Sequence, residues 1–284
     1  MRGIRSGGSE AEPPRVLEQL HSEKSEEEKV HGAIRKKMGE RGELKKMLKG
    51  LPEIIARYCE VHLNLQNAEL GEEYYYHSLP FCIIDAVYSL SARYNSTRNV
   101  VIRFCNHEGL QRLRNHASSY PEVGEQYAVW QFEEFLSCYG DYGKIASEVF
   151  DNRQRTSPKN GILKAEAVHR FARALVRHNV NFFQDIPSVL SNSVFESGIC
   201  DIPGQRKGTS LKYFFMLAGE ENMVKPDRMI LRFLQRIIGD QVKQQDTQEW
   251  LSQALQILDQ AYPTLTLRKL DHEIWKYEKS MTTR

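Results

Sequence analysis

The sequence is poor in closely spaced cysteines. Its 284 residues contain five, and no two of them form a C-x-x-C pair. Structural zinc sites, iron–sulfur clusters and disulfide scaffolds are built on such patterns, so none of the three is indicated. We therefore predict reduced thiols, no metal site, no iron–sulfur cluster and no other cofactor. The five residues are Cys59, Cys82, Cys105, Cys138 and Cys200.

Long apolar runs are also absent. No stretch approaches the roughly 20 apolar residues that a membrane-spanning helix needs, and the first residues lack the apolar core of a signal peptide. The sequence therefore predicts an intracellular protein that has no membrane partner.

Neither sign of charge dominates, since 39 basic and 37 acidic residues leave a net charge of +2. The distribution is uneven, however. Residues 91–116 contain five arginines and one acid, and residues 151–178 contain seven basic and two acidic residues. Residues 121–150 contain six acidic residues and a single lysine. A basic surface of this kind would suit a phosphate backbone, although solvated helix faces have the same composition.

The chain divides by composition into an N-terminal extension, residues 1–50, and a helical domain, residues 51–284. The first 20 residues carry glycines and a Pro-Pro pair with little apolar content, which is typical of a flexible tail. Residues 21–49 are dominated by Glu and Lys. From Leu51 onward apolar residues recur at helical spacing, and alternating strand patterns are hard to find. We predict an all-α fold with short loops.

The stretch CDIPGQRKGTSLKYFFMLAG, residues 200–219, predicts a helix-hairpin-helix. Gly204 and Gly208 can adopt backbone conformations closed to other residues and let the chain approach a ligand. The unpaired N–H groups of the next helix would point at a phosphate, and Arg206 and Lys207 would add charge. A ligand-free loop between two packed helices is the alternative.

The stretch VKPDRMILRF, residues 224–233, places one acidic residue at the start of an apolar helical pattern. Asp227 is a preferred residue type for a helix N-cap, which is one interpretation. The other is a catalytic carboxylate held at a helix N-terminus, where exposed N–H groups favour its negative charge. The two roles are compatible.

The order of these motifs resembles the helix-hairpin-helix DNA glycosylase superfamily (HhH-GPD), which includes endonuclease III. Asp227 falls at the position of the family's catalytic aspartate and Arg232 at that of its following arginine. Upstream, NGILKAEAVHRFARAL (residues 160–175) is similar to the family's glycine-led helix, and PFCIIDAVYSLSAR (residues 80–93) stands in the place of an early helix. The resemblance covers roughly residues 78–239.

The resemblance implies a two-lobed helical fold, with the hairpin at about 199–218 and the catalytic helix starting near 227. It implies a DNA glycosylase of base-excision repair that hydrolyses the N-glycosidic bond of a damaged or mismatched base. The implied catalyst is Asp227, the partner is double-stranded DNA, and the protein is a monomer located with DNA in the cell. The implied DNA-binding residues are Gly204, Gln205, Arg206, Lys207, Gly208 and Thr209.

The chain departs from the family pattern at several positions. Gln205 and Arg206 replace an apolar residue and the second hairpin glycine. Gly208 stands where members with lyase activity carry a lysine, so we expect a monofunctional enzyme. The segment Ser89-Leu90-Ser91 replaces a Ser-x-Gln motif, and the four-cysteine cluster of endonuclease III is missing. These departures keep open a DNA-binding protein without catalysis on the same fold, or an unrelated helical interaction protein.

The sequence offers several candidates for the residues that would bind the base. Aromatic residues suit a pocket that holds an extruded base, and the aromatic run at residues 74–77 is one candidate. Trp130 and Phe195 are others, although each would serve equally as core. Residues 152–155 (NRQR) would suit phosphates or a solvated turn.

Overall fold

The computed structural model describes residues 50–117, 119–239 and 242–282. The predicted N-terminal extension therefore lies, apart from Gly50, outside the described residues. All regular structure in the described ranges is helical, and extended pairing there is limited to two isolated bridges, Tyr76 with Leu113 and Arg155 with Leu163. The predicted all-α fold is confirmed.

Helices of very different length make up this fold. The α-helices are α1 (Leu51–His62), α2 (Leu79–Tyr88), α3 (Tyr94–Glu108), α4 (Val129–Cys138), α5 (Tyr142–Lys144), α6 (Lys164–Arg177), α7 (Ser193–Cys200), α8 (Thr209–Leu217), α9 (Arg228–Ile238), α10 (Thr247–Leu258) and α11 (Leu267–Thr282). A π-helical turn, Ile145–Val149, continues α5, and short 3-10 turns occupy Leu65–Asn67, Glu72–Tyr74, Val123–Glu125, Phe183–Ser188 and Gln244–Asp246.

A first packing group, residues 74–218, is organised around α2. Every residue of α2 is buried, which follows from a sequence (LPFCIIDAVY) that is apolar on all sides except at Asp85. Helices α3, α6 and α8 pack around it, and α4 packs on α6. The fully buried rings of Phe104 and Phe171 belong to this core.

A second packing group consists of α1, α9, α10 and α11. Helix α9 turns an apolar stripe inward, and its buried Phe233 ring meets Tyr58 of α1 and Tyr277 of α11 at centroid distances of 5.4 and 5.9 Å. The Arg236 guanidinium of α9 lies 3.2 Å from the buried Glu278 carboxylate of α11. Helices distant in sequence thus build one small core.

One apolar stretch does not form the helix that its pattern predicts. The apolar residues of IPSVLSNSVFESGI, residues 186–199, predict one helical run, and the structure does not form it. It is broken between the 3-10 turn that ends at Ser188 and the start of α7 at Ser193. Ser191 adopts a left-handed conformation with φ of 62°, and the Asn192 side chain accepts hydrogen bonds from the first N–H groups of α7. Local capping chemistry therefore overrides the apolar period here.

Candidate active-site cleft

Asp227 is the N-cap of α9. Its Oδ1 accepts hydrogen bonds from the N–H groups of Met229 at 2.7 Å and Ile230 at 3.4 Å. The residue has the extended backbone of an N-cap, and its side chain remains partly exposed. The predicted cap is therefore confirmed. Because the residue is only half-buried and lines a cleft, the cap leaves the group available for chemistry.

The hairpin between α7 and α8 depends on its two glycines. Gly204 has φ of 89° and Gly208 has φ of 67°, both in the left-handed region that favours glycine. Two consecutive turns form the hairpin, since the Gln205 N–H donates to Ile202 O and the Gly208 N–H donates to Gln205 O, each at 2.8 Å. A Cβ on Gly204 would lie only 2.4 Å from the Cβ of Thr156.

Gln205 points into the protein. Its side chain is 1 % exposed, and the Ser210 hydroxyl donates a hydrogen bond to its Oε1. With its backbone N–H also engaged, Gln205 stabilises the hairpin from inside. Its predicted contact with DNA stays a prediction, and the residue is almost wholly buried where it lies. Arg206 and Lys207, by contrast, are exposed at the tip, and within the described chain no side chain caps the N-terminus of α8.

The hairpin and Asp227 line one large cleft, whose volume is about 1150 Å³. Gly204, Lys207 and Thr209 contribute from the hairpin, and Asp227 contributes from the start of α9. The loop at residues 89–95, after α2, and one face of α11 complete its walls. Two segments singled out by sequence, the hairpin and the helix start, are thus brought together. Arg93 of the loop also lines this cleft.

Lys164 holds the loop at residues 89–95 in place. Its buried Nζ donates to Tyr88 O at 2.9 Å, to Leu90 O at 2.7 Å and to Gln154 Oε1 at 3.0 Å. Burial lowers the pKa of this ammonium to about 8, and the nearby Lys225 ammonium adds to the effect. A cation at this position satisfies carbonyls that the C-terminus of α2 leaves without intrahelical partners.

Replacing Lys164 should therefore loosen this wall of the cleft. We expect Lys164→Met to lower the free energy of unfolding by about 2 to 3 kcal/mol, because buried carbonyls lose their donor. Urea denaturation measures the change. Lys159→Met, at an exposed site in the preceding loop, serves as the control and should stay within about 0.5 kcal/mol of the unaltered protein. An equal effect of the two substitutions would contradict a capping role for Lys164.

The floor of the cleft contains a buried carboxyl group, Asp85. It is 5 % exposed and accepts a hydrogen bond from the Tyr76 hydroxyl at 2.9 Å. Burial raises the pKa of Asp85 to about 6, although the Lys225 ammonium and hydrogen bonds from Tyr76 and Tyr213 oppose the rise. The Lys225 Nζ itself donates to Ser89 Oγ at 3.0 Å and lies 3.6 Å from the centroid of the Tyr213 ring.

Charges are arranged in two layers around the cleft. Exposed cations from the loop, the hairpin, α9 and α11 lie at its rim, whereas carboxyl groups lie deeper. The rim cations are Arg93, Lys207, Arg228 and Lys279, and the carboxyl groups are Asp85, Asp227 and Asp271. A polyanion would be attracted to this rim, while positive charge that develops on a bound molecule would be stabilised below it.

One wall of the cleft is aromatic. His272 and Trp275 of α11 are stacked with ring centroids 5.8 Å apart, and Tyr94 lies 5.7 Å from Trp275. Tyr74 meets the edge of His272 at 5.0 Å. Burial lowers the pKa of His272 to about 4, with the Lys276 ammonium as the next cause, so the imidazole is neutral at pH 7. We call Tyr74, Tyr94, His272 and Trp275 the aromatic wall.

Other residues considered from sequence lie elsewhere. Trp130 is about half exposed outside the cleft, and Phe195 is buried in the core. In the NRQR segment, the Arg155 guanidinium donates to Gly161 O at 2.7 Å and the Arg153 guanidinium to Gly143 O at 3.4 Å. Of the aromatic run at 74–77, Tyr74 alone lines the cleft. A role for Tyr74 in binding a base stays a prediction.

Three cleft residues were missed by sequence reasoning: Asp85, Lys225 and Asp271. Asp85 could have been found from the sequence, because burying a lone carboxylate within the apolar run FCIIDAV is unfavourable unless the group has hydrogen-bonding or charged partners. Lys225 and Asp271 look like ordinary surface residues in the sequence. Their position in the cleft depends on how α11 packs against the segment before α9.

A second polar cluster joins α4 to α6, away from the cleft. His169 Nε2 lies 3.1 Å from Ser137 Oγ and 3.0 Å from Glu133 Oε1. A catalytic triad needs the carboxylate on one ring nitrogen and the serine on the other. Here the Glu133 carboxylate and the Ser137 hydroxyl both contact Nε2 of His169. The cluster therefore links α4 to α6 and does not activate a nucleophile.

The described residues contain neither a metal-binding cluster nor a membrane-spanning helix. Across these ranges, no group of three or more His, Cys, Asp or Glu residues is placed to hold a metal ion. None of the helices that the structure describes combines the length and the apolar character needed to cross a membrane.

Comparison with known proteins assigns the chain to a family. Residues 53–279 match the family model described as "Domain of unknown function (DUF8548)", and the chain belongs to this family. The matched range includes the whole hairpin, the whole first packing group and all but the outermost residues of the second. A search of curated proteins and a search of solved structures found no match.

Proposed function

We propose that this protein is a monofunctional DNA glycosylase of base-excision repair, which hydrolyses the N-glycosidic bond of a damaged or mismatched base in double-stranded DNA. One observation carries the proposal: Asp227 and four residues of the hairpin, Gly204, Gln205, Lys207 and Thr209, line the same cleft. A phosphate backbone bound at the hairpin would bring a neighbouring sugar towards this carboxylate.

The arrangement of helices supports a two-lobed fold of the HhH-GPD type. The first packing group, residues 74–218, ends with the hairpin and α8. The next helix along the chain, α9, belongs to the second packing group. Asp227 stands where the chain passes from one group to the other. In this proposal the two groups are the lobes, and the duplex lies across the cleft with its backbone on the rim cations.

The chemistry proposed for Asp227 is electrostatic and general-base catalysis. Breaking a bond between a sugar and a base develops oxocarbenium-like positive charge on the sugar. A carboxylate facing that sugar stabilises the charge and can accept a proton from the attacking water. The water oxygen forms the new bond to the sugar carbon, and the base leaves with the bonding electron pair. Because α9 N–H groups hold Oδ1, the carboxylate keeps its orientation.

The remaining features of the cleft fit an extruded base. Its volume, about 1150 Å³, exceeds that of one nucleotide base, so a nucleotide and part of its neighbours can enter. The aromatic wall offers flat rings against which a base can stack. Gly208 stands at the position of the lyase lysine, so water is the nucleophile in this proposal.

The proposal is tested by base release from labelled duplexes. The panel contains alkylated, oxidised, deaminated and mismatched bases, and each product is heated in alkali to cleave abasic sites. Release of at least one base class, without strand cleavage before alkali, is the expected result. Salt-dependent binding with no release from any duplex would favour the DNA-binding protein without catalysis. Absence of both would favour a helical interaction protein.

Phosphate contacts at the hairpin tip predict a change in salt dependence. Replacing Arg206 and Lys207 together by Ala should weaken binding to all duplex sequences and reduce the slope of log K against log salt by up to roughly 2, about 0.9 for each lost contact. Fluorescence anisotropy at several salt concentrations measures the slope. The paired control is Lys144→Ala with Arg177→Ala, two exposed cations outside the cleft. Equal slopes for both double variants would remove the hairpin from the interface.

A further inference from the structure

The segment that leads into α9 is fixed by the last two helices. The Arg268 N–H donates to Glu221 O at 3.0 Å, and the Arg268 guanidinium lies 2.9 Å from the Glu221 carboxylate. Gln248 of α10 holds the same segment through Val224 N–H at 3.1 Å and Asn222 O at 2.8 Å. Asp227 is therefore positioned by contacts from helices that come later in the chain.

The contact nearest to Asp227 is made by Asp271. Its Oδ1 accepts the Lys225 N–H at 2.8 Å, and the Lys225 carbonyl accepts the Asp227 N–H at 2.7 Å. Pro226, between them, has no N–H to donate. The two carboxyl groups thus lie on either side of one three-residue turn, and both line the cleft. A group so placed controls both the geometry of this turn and the charge beside it.

We propose that Asp271 is a positioning residue for Asp227: its carboxyl group accepts the Lys225 N–H, fixes the turn at residues 225–227 and adds no second negative charge beside the Asp227 carboxylate. This inference rests on the proposed function of Asp227. Asp271 contacts neither base nor sugar in it and acts through the turn.

The charges around Asp271 support this division of roles. Burial raises the pKa of Asp271 to about 8, and the Asp227 carboxylate of α9 is the next cause. The N–H and ammonium groups of Lys225, on the preceding segment, and the Arg268 guanidinium, one turn earlier on α11, oppose the rise. Near pH 7 Asp271 is therefore mostly protonated and neutral. Above pH 8 two adjacent carboxylates repel each other across the turn.

The same shift links folding to pH. Because folding raises the pKa of Asp271 from 3.8, the folded chain holds a proton that the unfolded chain releases. The associated stability is fully present below about pH 4 and is lost as the pH rises to about 8. Asp271→Asn mimics the neutral form, so the variant should lose this pH dependence.

The test compares Asp271→Asn with Asp271→Ala in single-turnover base release between pH 5.5 and 9.5. An Asn side chain is neutral and its amide oxygen still accepts the Lys225 N–H, so near pH 7 we expect a rate within about twofold of the unaltered protein. We expect the unaltered protein to release bases more slowly above pH 8, where the two carboxylates repel each other, and we expect Asp271→Asn to lack this fall in rate. Ala removes the acceptor and should slow the reaction roughly tenfold or more, since a displaced catalytic group is less effective. DNA affinity should change less than about twofold in both variants, because neither substitution removes a phosphate contact.

Asp259→Asn, next to α10 and exposed, is the matched control and should leave rate and pH profile unchanged. A fall above pH 8 that persists in Asp271→Asn, or an unchanged rate in Asp271→Ala, would overturn the inference.

A second measurement separates failure of the inference from failure of the proposed function. In protein with ¹³C-labelled aspartate, one carboxyl resonance should titrate near pH 8, vanish in Asp271→Asn and titrate at lower pH in Asp227→Asn. Hydrogen exchange at the Lys225 amide should accelerate in the Ala variant and not in the Asn variant. If no carboxyl resonance titrated near pH 8 and hydrogen exchange at the Lys225 amide were unchanged in the Ala variant, the role of Asp271 would be rejected even if bases are released. The expected titration without base release would reject the glycosylase instead.

Discussion

Asp227→Asn is expected to abolish base release while leaving DNA binding intact. The substitution removes the negative charge that would stabilise the sugar cation and the base that would receive the water proton. Loss of a single preorganised electrostatic group of this kind costs roughly 100-fold to 1,000-fold in rate. Single-turnover base release under saturating enzyme measures the chemical step without a contribution from affinity.

The structure explains why this variant should fold. Asn is as good an N-cap as Asp, so the bonds to Met229 and Ile230 N–H groups can be kept by the amide oxygen. We expect the free energy of unfolding to change by no more than about 0.5 kcal/mol. Affinity for duplex DNA should be unchanged or slightly higher, because a carboxylate near the phosphates is removed.

Asp141→Asn provides the matched control. Asp141 also caps a helix, since its Oδ1 accepts the Lys144 N–H at 2.9 Å, but it lies outside the cleft. Its replacement should leave base release within about twofold of the unaltered protein. If both variants were equally active, Asp227 would be a structural cap and the catalyst would have to be sought among the other cleft residues.

Gly204→Ala is expected to give the largest loss of stability. The left-handed backbone at this position costs a residue with a Cβ about 1 to 2 kcal/mol. The new Cβ would also lie 2.4 Å from Thr156 Cβ and 2.7 Å from its Oγ1, and relieving such overpacking typically costs about 1 to 3 kcal/mol. We expect a total loss of roughly 2 to 5 kcal/mol, which lowers Tm by about 4 to 20 °C for a domain of this size.

Gly198→Ala is the control for this prediction. Gly198 lies inside α7, and nothing would meet its added Cβ within 4 Å. Alanine should therefore stabilise the helix by about 0.5 to 1 kcal/mol. Thermal unfolding followed by circular dichroism compares the two variants.

A second-site change separates the two causes of the loss. Thr156→Gly removes the atoms that the new Cβ would meet, so the double variant should recover the packing part and keep the backbone part. If Gly204→Ala were as stable as the unaltered protein, the close approach of the hairpin to Thr156 would be wrong.

The amphipathic helices and the hairpin could be predicted because their determinants are local. Apolar spacing from Leu51 onward indicated a helical domain, and Asp227 followed by an apolar stripe indicated the start of α9. Gly204 and Gly208 lie within eight residues of the next apolar run, and this spacing predicted the turn that they form. Each of these features depends on residues within about two helical turns of one another, where propensity and capping chemistry operate.

The cleft could not be predicted because its contacts span the chain. Lys164 reaches the carbonyl of Tyr88 across 76 positions, and Asp271 reaches Lys225 across 46. In the sequence both residues look like solvated charges on a helix. Likewise, nothing local showed that Gln205 would turn inward to meet Ser210. Tyr74 of the aromatic wall belongs to the run named from the sequence, whereas His272 and Trp275 were missed for the same reason, because they lie far from Tyr74 along the chain.

The packing of α11 against α1 and α9 also determines when the cleft can exist during synthesis. The first packing group is complete once residue 218 has left the ribosome, so the hairpin can form on a nascent chain. The turn that carries Asp227 obtains its contacts from Gln248, Arg268 and Asp271 only after most of the remaining chain has emerged. Under the proposed function, a nascent chain would present a hairpin that can bind phosphate before the Asp227 carboxylate is in place, so the capacity for binding would arise before the capacity for chemistry.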